Sequence, residues 1–389
     1  MLTVAEALGR VLAMVPRMGE EEVPLAEAAG RVLARPVRAQ RSQPPFAASA
    51  MDGYALRAAD AGPRRVIGTA AAGRGFAGRV GPGEAVRIFT GAPLPEGADS
   101  ILIQEEAERA GDMVLPRAAP APGAHVRPAG CDFRAGQEVA APRRIGAHLL
   151  ALLAAMNLPR LPVARRPVVA IIPTGDELVW PGESPGPDQI VTSNNFGIAA
   201  IVAAQGGIPR LLPIARDDPA ALGAALGLAE GADMIVTLGG ASVGAHDLVQ
   251  DALRAAGMEL SFWKIAMRPG KPLLAGRLGQ VPVLGLPGNP VSALVCAHLF
   301  LRPAIDAALG LPAGPLPRRR GILDADLGPN GPREHYLRAR REGDRIIPFP
   351  DQDSSLLSVL SAADVLAIHP AGGAAMSRGS CIEYIELAP

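Results

Sequence analysis

The sequence has 389 residues, which is too long for one ordinary domain and predicts two to four of them. Hydrophobic residues make up 49% of the chain but aromatic residues only 3%, so the cores must be built from Ala, Val, Leu and Ile. Lys plus Arg and Asp plus Glu both number 38, and no basic block carries interleaved aromatics, which argues against a nucleic-acid-binding protein.

The cysteines and the apolar segments indicate where the protein works. Cys131, Cys296 and Cys381 are widely spaced, which is typical of a reducing compartment and excludes a cysteine metal knuckle. The N-terminus lacks the basic start and apolar core of a signal peptide, and the longest apolar run, residues 291–301, is too short to span a bilayer. We therefore expect a cytoplasmic protein with no membrane partner.

The first 160 residues alternate between helical and strand-like stretches. Apolar spacing predicts a helix over residues 3–14, begun by a capping box of Thr3 and Glu6, and further helices over 25–33 and 147–156. Between them, short apolar runs predict strands at 65–67, 85–89, 100–104 and 113–115. We expect one helical domain interrupted by a β domain.

Two turns of the β domain carry polar groups. Asp52 precedes a glycine, and Thr90 stands at the end of a strand. Taken alone, an Asp-Gly pair is an ordinary turn and a Thr-Gly pair an ordinary strand terminus, so the residues by themselves favour a structural role.

From Pro167 onward, strands and helices alternate. Strands are predicted at 168–172, 210–214, 234–238, 262–267 and 281–286, and helices at 195–205, 219–229, before 256 and before 308. This alternation predicts a doubly wound, mainly parallel sheet, in which ligands bind at the carboxyl ends of the strands.

The loop after strand 234–238 is rich in glycine. Gly239, Gly240, Ser242 and Gly244 follow the strand, and Asp247 closes the stretch. Glycines allow backbone amides to approach a ligand, and a helix N-terminus favours an anion; the alternative is a tight turn without a ligand. Polar residues also follow the other strands: Thr174, Asp176, Glu177, Asp217, Asp218, Arg268, Lys271, Gly288 and Asn289. Together these loops predict a phosphate or pyrophosphate ligand with a divalent cation.

The tail beyond a proline-rich linker at 312–317 is again strand-like. Strands are predicted at 346–347, 365–368 and 381–387, giving a small β domain. Arg338 and Ser354 are its notable polar residues, and from the residues alone we expect each at the surface.

Six segments, in this order and spacing, resemble the MoeA family of molybdopterin molybdenumtransferases, which includes the gephyrin and plant E domains. They are residues 49–54 (SAMDGY), 90–99 (TGAPLPEGAD), 174–178 (TGDEL), 239–244 (GGASVG), 269–272 (PGKP) and 286–292 (LPGNPVS). The resemblance covers essentially the whole chain. It implies an α/β multidomain protein with four parts: an elongated helical domain (1–40 and 135–160), an inserted β domain (41–134), a doubly wound domain related to the molybdopterin adenylyltransferase (161–311) and a C-terminal β-barrel-like domain (312–389).

The resemblance also implies an activity. Such an enzyme, a molybdopterin molybdotransferase, takes adenylylated molybdopterin and molybdate, uses Mg²⁺, releases AMP and leaves molybdenum on the dithiolene. Family members are homodimers, with the cleft between the doubly wound domain of one subunit and the inserted β domain of the other. Molybdopterin adenylyltransferase and downstream cofactor-handling proteins are the further partners that it suggests.

Roles for individual residues follow from the same resemblance. The metal and the phosphates would be held by Glu177, Asp217 and Asp247. The pterin phosphate would be bound by Thr174, Gly239, Gly240, Ser242, Gly244, Pro287, Gly288, Asn289 and Pro290. Lys264, Arg268 and Lys271 would offset anionic charge, and Arg338 and Ser354 match molybdate-contacting positions. Asp52, Thr90 and Asp132 match positions contributed by the partner subunit's β domain.

The chain departs from the family pattern at three points. Arg268 stands where lysine is usual, residues 192–194 (Thr-Ser-Asn) stand where an aspartate or similar residue often precedes the Asn, and Cys131 replaces an acid next to Asp132. Two other functions stay open: a molybdopterin-binding scaffold without catalysis, and a nucleotide pyrophosphatase or adenylyltransferase on the related doubly wound fold.

Overall fold

The computed structural model describes residues 1–239 and 248–387. The chain forms two compact units: Met1–Glu21 with Ala164–Pro389, here the large unit, and Glu22–Val163, here the inserted unit. The predictions for Gly240, Ser242, Gly244 and Asp247 lie outside the described residues. The finer domain boundaries within each unit stay predictions.

Helix α1, Val4–Met14, begins as the sequence predicts. The Thr3 side chain accepts a hydrogen bond from the Glu6 N–H at 3.2 Å, and the Glu6 carboxylate accepts one from the Thr3 N–H at 2.8 Å. This capping box satisfies backbone donors that the first helical turn leaves free. The buried face of the helix consists of Ala7, Leu8, Val11 and Met14.

The next elements belong to the inserted unit and its borders. In chain order they are β1 (Glu20–Pro24), β2 (Val32–Leu33), β3 (Val37–Arg38), β4 (Ala48–Ser49), β5 (Gly53–Leu56), β6 (Arg64–Ala70), β7 (Glu84–Ile88), β8 (Ser100–Ile103), β9 (Ala107–Ala110), β10 (Met113–Pro116), β11 (Val126–Arg127), β12 (Glu138–Val139), β13 (Arg143–Arg144), α2 (Ala147–Ala155) and β14 (Arg160–Ala164).

Two sheets organise this unit. The first has the order β8-β5-β7-β6-β10-β9, and its strands β6, β7, β8 and β10 confirm the four predicted strands. Its core is built from small and β-branched residues such as Ala55, Val86 and Ile101, as the scarcity of aromatics requires. The second has the order β1-β14-β2-β13 and shares a core with α2.

The predicted helix over residues 25–33 is wrong. Only a 3₁₀ turn forms, over Leu25–Glu27, and the chain then enters strand β2. Gly30 takes a left-handed φ of +75°, which ends any helix there, and Leu33 pairs with Val163 of β14. Sheet pairing of a β-branched, buried segment therefore overrides its helical spacing.

The remaining elements belong to the large unit. They are β15 (Val168–Pro173), β16 (Leu178–Val179), β17 (Ile190–Val191), α3 (Asn194–Ala204), β18 (Ile208–Leu211), α4 (Pro219–Leu228), β19 (Met234–Leu238), α5 (Leu248–Ala255), β20 (Met258–Trp263), β21 (Met267–Arg268), β22 (Leu274–Leu278), β23 (Val281–Leu286), α6 (Pro290–Cys296), α7 (Arg302–Ala308), β24 (Arg319–Leu323), β25 (Glu334–Glu342), β26 (Arg345–Pro348), α8 (Leu357–Ser361), β27 (Val365–His369) and β28 (Cys381–Glu386).

A doubly wound sheet forms the first half of this unit. Its order among the described residues is β18-β15-β19-β23-β22-β20. The first four strands pair in parallel, β22 pairs antiparallel with β23, and β20 pairs antiparallel with β22. The strand predicted at 262–267 lies earlier, at 258–263, because it pairs antiparallel with the unpredicted β22. Pro173 is opposite Leu238, and Leu238 is opposite Leu286, so the loops after these strands lie side by side.

One long apolar helix packs into this layer. Pro290–Ala308 consists of α6, a π-helical turn over Ala297–Leu301 and α7, and by length and composition it is the one membrane-span candidate among the described residues. Its most apolar window is 72% buried, as expected for a core helix. The π-helical turn directly precedes Pro303, which has no N–H for the regular helical ladder.

The C-terminal part is a closed barrel. Strands β25, β26, β24, β28 and β27 pair in this order, and β25–β27 pairing closes the ring. Strand β21 of the preceding half adds to β25 in parallel, so that Arg268 is opposite His335. The sequence patterns miss strands β24 and β25. The sequence of β25, EHYLRARRE, is mostly charged although its residues 335–339 are buried.

Candidate functional site

A cavity of about 940 Å³ lies at the carboxyl edge of the doubly wound sheet. Its walls are the loops after β15, β19 and β23, the segments 190–194 and 268–272, and residues 352–355 of the barrel half. This is the edge at which ligands bind in such sheets, and the volume suits a ligand of nucleotide size or larger.

One wall of the cavity, called the loop wall, is built from the loops that follow the strands. It consists of Thr174, Gly175, Glu177, Asp217, Gly239 and the turn of Pro287, Gly288, Asn289 and Pro290. Thr174 donates a hydrogen bond from Oγ1 to the Leu238 carbonyl at 3.1 Å, and the Gly239 N–H reaches the Leu286 carbonyl at 3.2 Å. Gly239 has a φ of +104°, and a Cβ there would lie 2.7 Å from the Thr174 carbonyl oxygen. Only glycine allows the three loops to meet so closely.

The acidic part of the loop wall consists of Glu177 and Asp217. Partial desolvation, followed by the charges of Asp176 and Glu177, raises the pKa of Asp217 above its ordinary value. The Asp176 carboxylate accepts a hydrogen bond from the Asp217 N–H at 3.1 Å, and Arg216 donates to the Asp176 carbonyl at 2.7 Å. Crowded carboxylates of this kind gain most from a cation. Within the described ranges, no three His, Cys, Asp or Glu side chains are placed so that they could hold a metal ion together, and the third predicted acid, Asp247, is outside these ranges.

A second wall, called the cationic wall, consists of the lining residues Arg268, Lys271, Arg333 and Ser354, together with Arg338 behind them. Arg338 lies behind the cavity surface and is 0% exposed, so the expectation of a surface position is wrong. Its Nη2 donates to the Asp353 carbonyl at 3.0 Å, whereas its buried Nε and Nη1 find no partner among the described residues. Burial, followed by the charge of Arg268, lowers the pKa of Arg338 to about 10. A buried guanidinium with free donors next to other cations is suited to an oxyanion.

A histidine lies behind the same wall. His335 is buried, and burial, followed by the charges of Arg268 and Arg338, lowers its pKa to about 4. It is therefore neutral at pH 7, and the cationic wall holds its charge on Arg and Lys side chains.

The two walls are joined by hydrogen bonds around Ser354. Asn289 donates from Nδ2 to the Ser354 hydroxyl at 2.7 Å, and the Val291 N–H donates to the Ser354 carbonyl at 3.1 Å. The barrel residue Ser354 is thereby fixed at the N-terminal end of helix α6. The predicted positions of Ser354 and the 287–290 turn thus line one cavity.

Lys264 is not among the residues that line the cavity. Its Nζ lies 3.6 Å from the centroid of the Trp263 ring, and its backbone takes a left-handed φ of +70°. Its N–H donates to the Leu273 carbonyl at 3.0 Å, at the base of the loop that carries Arg268 and Lys271.

Several cavity residues are missed by the sequence reasoning. Asn194 donates from Nδ2 to the Gly288 carbonyl at 2.7 Å and so fixes the 287–290 turn. The others are Ser193, Arg333, Gln352, Asp353 and Ser355. The Ser-Asn pair at 193–194 precedes the predicted helix, but the sequence pattern assigns it no binding role. The barrel residues carry no sequence signal, because Arg333 precedes the unpredicted strand β25 and residues 352–355 lie in the loop after β26.

In the inserted unit, Asp52 and Thr90 form one pair. The N–H and the hydroxyl of Thr90 both donate to Asp52 Oδ1, at 2.7 and 2.8 Å, and these bonds lower the pKa of Asp52. Asp132 is exposed, and its N–H donates to the Gln43 carbonyl at 3.0 Å. The two turns that the residues alone predict to be ordinary are thus tied together by two hydrogen bonds to one oxygen of the Asp52 carboxylate.

Three family models match the chain. They describe a MoeA N-terminal region (domain I and II) at residues 2–157, a probable molybdopterin binding domain at 170–307 and a MoeA C-terminal region (domain IV) at 320–387. The molybdopterin molybdenumtransferase 2 of Mycobacterium tuberculosis is 38% identical over 360 residues, covering 88% of this chain and 89% of that protein. The molybdopterin molybdenumtransferase of Nostoc is 36% identical over 358 residues, covering 87% and 82%.

Solved structures agree with these relatives. A crystal structure of the molybdopterin biosynthesis MoeA protein from Pyrococcus horikoshii has a TM-score of 0.87 and 30% identity, with both chains covered in full. A second structure of the MoeA protein from that organism gives a TM-score of 0.85 at 26% identity. The resemblance seen in six sequence segments is confirmed, and the chain belongs to the MoeA family of molybdopterin molybdenumtransferases.

Proposed function

We propose that this protein inserts molybdenum into molybdopterin, converting adenylylated molybdopterin and molybdate to molybdenum cofactor and AMP. The observation that carries the proposal is the cavity with two chemically different walls. The loop wall offers close backbone, amide and carboxylate groups to a phosphorylated ligand and its cation. The cationic wall offers guanidinium and ammonium donors to an oxyanion.

In this proposal molybdate, as substrate, binds at the cationic wall. Arg268 and Lys271 face the cavity, and the buried Arg338 supplies fixed charge from behind, while Ser354 adds a hydroxyl. The adenylylated pterin lies along the loop wall, where Gly239 and the 287–290 turn leave room for its phosphates. Lys264 contributes by supporting the loop of residues 268–271.

Mg²⁺ is the cation that we propose for the acidic part of the loop wall. Carboxylate oxygens are the ligands that Mg²⁺ prefers, and the raised pKa of Asp217 marks a site where added positive charge is favourable. Glu177 and Asp217 would hold the ion together with Asp247. When bound, Mg²⁺ neutralises phosphate charge; the residues of this chain orient the phosphates and hold molybdate near the dithiolene.

We further propose a homodimer in which Asp52, Thr90 and Asp132 of one subunit complete the cavity of the other. The Asp52–Thr90 pair supports this, because two hydrogen bonds from Thr90 lower the pKa of Asp52 and hold an ionised carboxylate at a turn of the inserted unit. A cytoplasmic location, delivery of substrate by a molybdopterin adenylyltransferase and hand-over to cofactor-handling proteins complete the proposal. Neither nucleic acid nor a membrane is part of it.

The test is AMP release by the purified protein. Adenylylated molybdopterin, molybdate and Mg²⁺ together should give AMP and a molybdenum-loaded pterin, and omission of molybdate or Mg²⁺ should suppress both. Absence of AMP with a substrate that another molybdenumtransferase accepts would refute insertion and leave the scaffold function. ATP turnover without pterin would instead support a nucleotide-processing enzyme.

A further inference from the structure

The side-chain amide of Gln352 takes the place of a missing strand residue beside Arg338. Its Oε1 accepts a hydrogen bond from the Arg338 N–H at 2.9 Å, and its Nε2 donates to the Arg338 carbonyl at 2.9 Å. Nε2 also donates to the Phe349 carbonyl at 2.8 Å. One side-chain amide thus forms hydrogen bonds with both backbone groups of Arg338 and with one backbone carbonyl, that of Phe349, in the loop that leaves the barrel.

This arrangement arises where strand β26 stops. Ala339 pairs with Pro348, the last residue of β26, and the Phe349 N–H still reaches the Arg338 carbonyl at 3.0 Å. Beyond that point the chain turns away from β25, and the backbone N–H of the buried Arg338 would have no partner on that side. Buried backbone groups without a partner are costly, so the amide of Gln352 substitutes for the ladder.

The residues next to Gln352 form the cavity wall. The Asp353 carbonyl accepts from Arg338 Nη2 at 3.0 Å, and Ser354 is bonded to Asn289. Asp353 also accepts from the Ser355 N–H and hydroxyl at 2.8 and 2.6 Å, which keeps its carboxylate turned toward its own loop. Gln352 therefore connects the backbone of the buried cation to the loop that carries the cavity hydroxyls.

We propose that Gln352 is a positioning residue for the oxyanion end of the cavity. Its amide fixes the distance between the Arg338 guanidinium and Ser354, and through this it sets the affinity for molybdate. The inference rests on the proposed function. It adds to that function a residue, Gln352, that sets the affinity for one substrate, molybdate. It requires an amide, because a side-chain amide carries an acceptor oxygen and a donor nitrogen side by side, where they meet the N–H and the carbonyl of Arg338.

Two variants test the role of the amide. Gln352→Glu keeps the shape and the acceptor but turns a carboxylate oxygen toward the carbonyls of Arg338 and Phe349. Gln352→Met keeps similar bulk and loses both functions. Gln137→Met is the matched control, since the Gln137 side chain accepts one hydrogen bond from the Arg134 N–H in the inserted unit.

The experiment measures molybdate binding by calorimetry without pterin, and AMP release over a range of each substrate. Both Gln352 variants should weaken molybdate binding and raise its half-saturating concentration about tenfold, a typical effect of losing such hydrogen bonds. The half-saturating concentration of adenylylated molybdopterin should change less than about twofold, and so should the rate at saturating molybdate. Gln137→Met should match the wild type in all three.

Several outcomes would overturn the inference. Unchanged molybdate affinity in a folded Gln352 variant, wild-type behaviour of Gln352→Glu, or an equal effect on both substrates would each do so. If both variants are unfolded by circular dichroism, the amide is structural and the inference falls. If the wild type releases no AMP but the variants still bind molybdate more weakly than it does, the proposed function fails while the positioning role stands.

Discussion

The loop wall and the cationic wall differ in where their functional groups lie in the chain. Glu177, Asp217 and Gly239 each follow a predicted strand, so their position at the sheet edge follows from the alternation of strands and helices. Arg338 lies in the middle of strand β25, whose charged sequence hides its burial. Polar groups after strands can therefore be assigned from sequence, whereas a charge inside a strand is revealed only by its neighbours.

The walls also differ in how charge is compensated. In the loop wall, desolvation, followed by the charges of neighbouring carboxylates, raises the pKa of Asp217, so this wall favours a cation. In the cationic wall, burial, followed by the charge of Arg268, lowers the pKa of Arg338. Negative charges are thus crowded in the loop wall and positive charges in the cationic wall. Each excess of charge is relieved by a different part of the proposed substrates.

The largest expected effect comes from removing the buried charge of the cationic wall. Arg338→Met keeps most of the volume and should lower kcat/KM for molybdate roughly 100- to 1,000-fold, as expected for truncating one partner of a buried ion pair. Arg338→Lys should recover only part, because an ammonium lacks the planar fork. Arg320→Ala, at an exposed position of the same barrel, is the control. Equal kinetics of Arg338→Met and wild type would show that the two walls do not divide the substrates.

The next effect concerns the acidic part of the loop wall. Asp217→Asn should raise the Mg²⁺ concentration for half-maximal AMP release by roughly 10- to 100-fold, since a carboxylate ligand is replaced by a neutral amide. Because the raised pKa means that the folded state disfavours the carboxylate, the variant should be no less stable than wild type at pH 7. Asp188→Asn, on an exposed loop of the same unit, is the control. An unchanged Mg²⁺ requirement would exclude Asp217 from the metal site.

The close approach of the loops predicts a stability effect. Gly239→Ala should lower the free energy of unfolding by about 1–3 kcal/mol, since Ala would be strained at a φ of +104° and its Cβ would clash with Thr174. Gly223→Ala, in helix α4 with nothing within 4 Å of its added Cβ, should instead stabilise by about 0.5–1 kcal/mol. Urea denaturation measures both. Opposite signs are the expected result, and equal signs would contradict the packing described for the loop wall.

The smallest effect is a pH dependence from the cationic wall. His335 faces Arg268, Arg338, His369 and Arg333, and its pKa is about 4 in the folded protein. As the pH falls, this histidine is therefore protonated in the unfolded chain before it is protonated in the folded protein. Stability is therefore lost from about pH 6.5 downward, on the order of 1–2 kcal/mol by pH 5. In His335→Gln this loss should shrink, while exposed His148→Gln should leave it unchanged. His298, whose pKa is also about 4, keeps its share of the loss in every variant.

Much of the secondary structure was predictable, and two of the exceptions share a cause. Helix α1, helix α2 and strands β15, β19 and β23 lie where periodicity and capping place them. The helix predicted over residues 25–33 fails and β24 is missed because each is decided by a distant strand partner. Strands β22 and β25 are missed although each pairs with the next strand along the chain through a short turn. Periodicity reports local preference, and pairing across more than about ten residues is not contained in it.

The sequence by itself determined the family, the doubly wound architecture of the central domain and the loops that carry Thr174, Glu177, Asp217 and Gly239. These features depend on short motifs and on alternation along the chain. Only the tertiary structure decided that Arg338 is buried, that Lys264 lies over Trp263 and away from the cavity, and that Asn194 and Gln352 hold the walls. The reason is physical: the charge and hydrogen-bonding environment of a side chain depends on residues brought near it by folding. Here the barrel strand that contains Arg338 is joined to the sheet edge through β21.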